Sequence, residues 1–166
     1  MGFELNPYDR CVANKMINGS QCTMAWYVDD NKLSHKDPKV VDEILKQMSE
    51  KFGDLSASTT RGTDHVFLGM KLKIDKKKQV FSVDMSDQVR ETIQSFGEEI
   101  DGNVSTPAAP HLLKVPLEDE ELDDERKERF HSVVAKLLYI MKRARPDLET
   151  AVAFLCTRVA KCGMSD

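Results

Sequence analysis

The sequence predicts an α+β fold, with antiparallel strands and one helix early in the chain and helices dominating its second half. Three observations carry that expectation. β-branched and aromatic residues alternate with polar ones between turn signals over 10–35 and again over 65–85. Apolar residues recur at helical spacing in four stretches, two of them after residue 122. An acidic segment, 98–122, carries Pro107, Pro110 and Pro116 and has the character of a long loop or linker at a domain boundary.

The chain opens with a candidate hairpin. Arg10 to Met16 leads into Asn18-Gly19, a pair that tolerates positive φ at both positions and so favours a type I′ turn. Gln21 to Val28 returns, and a second turn at Asp29-Asp30-Asn31 is expected to lead into a short strand, Lys32 to His35. Asp37 and Pro38 then suit the cap and first position of a helix, whose apolar stripe is Val40, Val41, Ile44, Leu45, Met48 and Phe52 and whose end is Gly53. Residues 54–63 are rich in Ser, Thr and Gly and read as a loop.

From His65 the period becomes two. Val66, Leu68, Met70, Leu72 and Ile74 predict one half-buried strand, with Gly69 in its middle as a bulge, a packing glycine or a point of close approach. Asp75 to Gln79 turns the chain, and Phe81, Val83 and Met85 alternate on the return. Ser86 suits a cap for a helix with Val89, Ile93 and Phe96 that stops at Gly97. After the linker, the acidic turn Asp123-Asp124-Glu125 favours a long helix with Phe130, Val133, Val134, Leu137, Leu138 and Met141, closed by Lys142 and Arg143. Pro146 separates it from a last helix with Leu148, Val152, Leu155 and Val159.

Composition excludes several classes of function. With 166 residues, 40% hydrophobic and 31% charged, the chain has the makings of one or two soluble globular units. It has no apolar run of about 18 residues, so no membrane-spanning helix is expected. The first residues lack the basic and apolar regions of a signal peptide, and Asn6 stands where myristoylation would need Ser or Thr. Cys11, Cys22, Cys156 and Cys162 show no C-x-x-C spacing and read as free thiols in a reducing compartment. The net charge of −4 argues against a free-standing nucleic-acid binder, although Lys71, Lys73, Lys76, Lys77 and Lys78 make a local basic cluster opposed by the acidic run 118–125.

The candidate chemistry lies at Asp29 and Asp30. Two adjacent carboxylates at the end of an apolar strand repel one another, which fits either an exposed turn or a divalent cation. Hard oxygen ligands suit Mg²⁺, which keeps several waters and is usually held by one or two carboxylates and substrate phosphates.

The order of the motifs narrows the choice. Tyr27-Val28-Asp29-Asp30 is followed by a helix ending in Lys51-Phe52-Gly53, then by Phe67-Leu68-Gly69-Met70, Ser105-Thr106-Pro107, Leu137-Leu138-Tyr139 and Arg145-Pro146-Asp147. A Tyr-x-Asp-Asp match alone would arise by chance in roughly one or two chains in a hundred of this length; the ordered series is far more specific. Across nearly the whole chain it resembles the reverse transcriptase of copia-type LTR retrotransposons, from late palm through thumb into the connection toward ribonuclease H. Gly2-Phe3 and Asp9 also fit the stretch before the catalytic hairpin of that family, whereas Lys136 departs from its usual glycine, implying a modest packing change.

The resemblance implies a partial polymerase palm over 1–85 with catalytic and primer-grip hairpins, a thumb start and linker over 86–116, and a helical thumb or connection segment over 117–166. It makes Asp29 and Asp30 two of three carboxylates that hold catalytic Mg²⁺, in a two-metal nucleotidyl transfer. Tyr27 and Val28 would lie near the primer end and incoming nucleotide. Phe67, Leu68, Gly69 and Met70 would form the primer grip, the glycine letting backbone approach nucleic acid. The implied partners are an RNA/DNA template-primer duplex, a dNTP and the remainder of a polyprotein, with no membrane, in an intracellular particle or the nucleus.

The family's third carboxylate sits on an earlier palm strand, before the fingers, and only 26 residues precede Tyr27 here. The basic residues that contact the triphosphate have no counterpart in the chain either. The expectation is therefore a C-terminal part of a polymerase, excised or left by a decayed element, with weak or absent Mg²⁺ binding and no activity alone. One rival class is a non-catalytic nucleic-acid- or protein-interaction module derived from a decayed retroelement, which the net negative charge favours. Another is a small metal-dependent phosphotransferase or nuclease that adds Asp37 or Asp64 to the aspartate pair, with His35 and His65 as conceivable ligands despite lacking His-x-x-x-His spacing.

Overall fold

The computed structural model describes residues 1–54, 59–102, 104–108 and 112–165. Antiparallel sheets and helices make an α+β fold. Chain contacts divide it into two units, Met1–Ser82 and Val83–Asp166.

In the first unit, β1 (Glu4–Leu5), β2 (Val12–Ile17), β3 (Ser20–Tyr27) and β4 (Asp30–Ser34) form an antiparallel sheet in that order. The short β1 was not expected from the sequence. Asn18 and Gly19, at φ 49° and 73°, close the β2–β3 hairpin with the left-handed pair that the dipeptide favours. The register sets Ala13 opposite Met24 and Met24 opposite Leu33, so these apolar residues share one face with Cys22. Helix α1 (Pro38–Phe52) covers that face: Val40 and Ile44 pack on Cys22, with Phe3, Ile17, Met24, Leu33 and Met48 around them. Its start is set as the sequence predicts. The Asp37 carboxylate accepts from the Lys39 amide at 2.9 Å, Pro38 fills the first turn, and Gly53 ends the helix at φ 99°. His35 anchors the approach to α1, its Nδ1 accepting from the Asp37 amide (3.0 Å) and its Nε2 donating to the Ile17 carbonyl (3.2 Å).

A second sheet contains β5 (Asp64–Phe67), β6 (Met70–Asp75) and β7 (Val80–Asp84), in that order. The single strand expected over 65–74 is in fact two. Leu68 and Gly69, at φ 51° and 71°, make a tight turn, and Phe67 pairs with Met70. A two-residue turn reverses the parity of the side chains, so the expected inward series breaks. Val66 stands 71% exposed opposite Lys71, while His65 lies opposite buried Leu72. The β6–β7 turn is tied by Asp75, whose Oδ1 accepts from the amides of Lys77 and Lys78, both at 3.0 Å. Phe81 is exposed on the return strand and Met85 is buried.

The second unit is helical: α2 (Ser86–Phe96), α3 (Asp124–Arg143), a 3-10 turn at Pro146–Leu148 and α4 (Glu149–Arg158). Ser86 is the first residue of α2 and not its cap; the Asp84 carboxylate takes both its amide (2.8 Å) and its hydroxyl (2.5 Å). The expected apolar stripe of α2 is also displaced. Ile93 and Phe96 are exposed, and the buried position is Thr92, whose hydroxyl donates to the Gln88 carbonyl at 2.7 Å. Asp123 caps α3 through the Arg126 amide at 2.9 Å, and Val134, Ile140 and Met141 are buried with Ala151 and Val152 of α4. Lys136, which stands where the sequence resemblance expects glycine, forms an ion pair with Glu91 of α2 at 3.0 Å.

The end of the acidic run is also structured. Leu122 and Met164 donate to the carbonyls of Cys162 (3.3 Å) and Glu120 (2.9 Å), so 120–122 runs antiparallel to 162–164. Gly163 lies so close to the Asp119 carboxylate that a Cβ there would collide with it. Pro110 and residues 55–58 of the expected loop lie outside the described residues. The four cysteines are free: Cys22 and Cys162 are buried, Cys11 is exposed and Cys156 is half-buried. Burial pushes the Cys22 thiol up, against a smaller lowering by Lys15.

Ile44 lies at the centre of the apolar layer between α1 and the first sheet. Ile44→Ala should destabilise the first unit by about 2–4 kcal/mol in urea unfolding, whereas Lys46→Ala, on the exposed side of the same helix, should change it by no more than about 0.5 kcal/mol.

Candidate functional site

The β3–β4 connection is built by register. Tyr27 pairs with Asp30, leaving only Val28 and Asp29 to make the turn. The turn therefore falls one residue earlier than the sequence predicts, and Asp30 is the first residue of β4. The Asn31 side chain donates to the Asp29 carbonyl at 3.2 Å and braces the connection. All four residues from Tyr27 to Asp30 are exposed, Tyr27 at 61% and Val28 at 85%. Val28 sits at φ 53°. A β-branched residue is an outlier there, and such backbone strain is concentrated at binding and catalytic sites.

Opposed residues of antiparallel strands share a face, so Tyr27 and Asp30 lie on the side away from α1. The same face carries Ala25 and Lys32, then Thr23 and Ser34. Farther along it, the Gln21 amide donates to Asn14 (3.0 Å) and Thr23 (2.9 Å), and the Thr23 hydroxyl donates to Asn14 (2.8 Å). This polar face is legible only once the register is known.

The Leu68-Gly69 turn meets the aspartate pair. The Leu68 amide donates to Asp30 Oδ2 at 3.3 Å across 38 residues of sequence. Phe67 and Met70 flank that turn as a half-buried pair; Leu68 is half-buried and Gly69 exposed. Thus the two motifs singled out in the sequence are neighbours within the first unit, joined by a contact that no sequence signal announces. Lys71 and Lys73 project from the exposed side of β6, and Lys76, Lys77 and Lys78 occupy the next turn.

The other carboxylates and imidazoles considered are engaged elsewhere. Asp37 caps α1, and Asp64 accepts from the Thr63 hydroxyl at 2.8 Å. Both nitrogens of His35 serve the approach to α1, while His65 contacts Thr60 (3.4 Å) and the Gly62 carbonyl (3.0 Å). Among the described residues no three of His, Cys, Asp and Glu come together as a metal-binding group. What the turn presents is two adjacent, solvent-facing carboxylates, a donor set that suits a hydrated hard cation.

The chain is similar to the retrovirus-related Pol polyprotein from transposon TNT 1-94 of Nicotiana tabacum, with 27% identity over 151 residues. The alignment covers 87% of this chain and 11% of the polyprotein, so the chain spans a small part of that relative's length. The similarity supports a retrotransposon origin. No family model and no solved structure matches the chain.

The strain at Val28 is measurable. Val28→Asn, which places a residue tolerant of the left-handed region at this position, should raise stability by about 1 kcal/mol. Unchanged or lower stability in urea unfolding would show that the valine side chain contributes packing that outweighs its backbone cost.

Proposed function

We propose that the chain is a segment of the reverse transcriptase of a copia-type LTR retrotransposon, an RNA-directed DNA polymerase in which Asp29 and Asp30 hold catalytic Mg²⁺. The observation that carries this reading is the meeting of the two motif-bearing turns: Tyr27-Val28-Asp29-Asp30 is exposed, and the Phe67-Leu68-Gly69-Met70 turn contacts it through Asp30. The similarity to a transposon Pol polyprotein supports it from an independent direction.

The donor type fits the ion: two consecutive aspartates, both exposed, offer hard oxygen ligands of the kind that hold a hydrated Mg²⁺. Asp29 and Asp30 would hold such ions, whose charge would serve to activate a primer 3′-hydroxyl and to stabilise the leaving pyrophosphate. The chain's own residues do the placing. Asp29 and Asp30 supply negative charge at the tip of a hairpin whose strands pair up to Tyr27 and Asp30. Tyr27 and Val28 offer apolar surface beside them for the primer end and incoming nucleotide. At Leu68 and Gly69 the left-handed backbone keeps the turn narrow, which lets nucleic acid approach its main chain.

No third carboxylate joins the pair among the described residues. On this reading the chain is not a competent polymerase by itself, and the remainder of a polyprotein supplies what nucleotidyl transfer still needs. The partners are a template-primer duplex and a dNTP, and the setting is an intracellular particle or the nucleus. The net charge of −4 favours a second reading, a non-catalytic interaction module derived from a decayed retroelement.

Three measurements test these readings. Mn²⁺ added to ¹⁵N-labelled chain should broaden the amides of Val28 to Asn31 first, and the double variant Asp29→Asn, Asp30→Asn should lose that effect; equal broadening in the variant would remove the carboxylates from the site. Primer extension on an RNA template with Mg²⁺ or Mn²⁺ should give no product from this chain alone. Robust incorporation abolished by Asp29→Asn would overturn its incompetence. Duplex affinity should fall steeply with salt for a polymerase segment and barely at all for an inert scaffold.

A further inference from the structure

We propose that the Leu68 backbone amide is a positioning group for Asp30, so that cation binding at the Tyr27–Asp30 turn and docking of the Phe67–Met70 turn reinforce one another. The inference rests on the reading of Asp29 and Asp30 as cation ligands.

The geometry supplies the reason. In a two-residue hairpin turn the flanking residues, here Phe67 and Met70, exchange the ladder hydrogen bonds, and the first central amide lies outside the ladder. Left-handed φ values at Leu68 and Gly69 hold the turn in that form, and the Leu68 amide donates to Asp30 Oδ2. That bond holds one carboxylate oxygen and leaves Oδ1 to a cation. An exposed aspartate samples several rotamers, and fixing one before the ion arrives removes part of the ordering cost of binding. Outer partners of ligating carboxylates act in this way, and their loss typically weakens metal binding by about 10- to 100-fold.

Among the described residues, Asp29 has no such counterpart for its carboxylate. Its brace, the Asn31 side chain, reaches its backbone carbonyl instead. The two neighbours are therefore unequal: Asp30 is oriented by a second hairpin, and Asp29 by its own turn. Thermodynamic linkage makes the effect reciprocal. Whatever factor the Leu68 bond adds to cation affinity, the cation must add to the docking of the turn.

The test replaces the amide between Phe67 and Leu68 by an ester, which removes the N–H and keeps every side chain. Mn²⁺ affinity is read from paramagnetic broadening at Val28 to Asn31 in the full chain. The ester should bind Mn²⁺ about tenfold more weakly, with the amide spectrum of β2 and β3 unchanged. Equal affinity in the two chains would overturn the coupling while leaving the cation reading intact. Absence of any broadening in the unmodified chain would defeat the cation reading itself, and this inference with it. Should the ester chain fail to fold, hydrogen exchange at Leu68 in the unmodified chain decides the matter. Saturating Mg²⁺ should slow that exchange by a similar factor, and Asp30→Ala should abolish the slowing. An exchange rate indifferent to Mg²⁺ would overturn the proposal.

Discussion

The pairing of Tyr27 with Asp30 is the constraint from which the candidate site follows. It shortens the β3–β4 connection to two residues, forces Val28 into the left-handed region and leaves both aspartates in solvent at the tip. Register explains why Tyr27 and Asp30 face away from α1. Met24 and Leu33 occupy the opposite face of the sheet, and their burial against Val40 and Ile44 locks the pairing, since a one-residue slip would turn both toward water. The placing of Asp30 at the tip thus depends on an apolar layer on the opposite face of the sheet.

Much of the fold was legible because certain residues permit few alternatives. Asn18-Gly19, Asp37-Pro38 and Gly97 each act where the sequence places them: a left-handed turn, a capped helix start and a left-handed helix end, the last at φ 78°. The misplacements have equally physical causes. Valine disfavours positive φ, so the turn was expected one residue later, among the residues Asp and Asn that tolerate it. The split at Leu68-Gly69 was hidden because apolar residues continue at even positions through 66–74, and only pairing geometry shows that the inward series changes parity there. On α2, burial falls on Thr92 and leaves Ile93 exposed, since packing against α3 orients a short helix more strongly than its own pattern does.

Of the candidate site, the sequence marked both turns but not their contact. A hydrogen bond spanning 38 residues, made by a backbone amide, leaves no trace in residue identity. Lys136 is the complementary case. Its departure from glycine was visible, whereas its ion-pair partner Glu91 becomes apparent only when α2 and α3 are packed together. Side chains at 34% and 69% exposure make that pair a modest contributor, screened by salt, beside the buried Val134 and Ile140 of the same helix.

The arrangement of the cysteines has a practical consequence. Each unit carries one sequestered sulfur, Cys22 in the first and Cys162 in the second, and each also has a more accessible one, Cys11 and Cys156. Alkylation under native conditions would tag exposed Cys11 first, half-buried Cys156 more slowly, and each hidden member only as its own unit opens. The molecule therefore carries internal reporters able to tell whether its two halves melt together or one before the other.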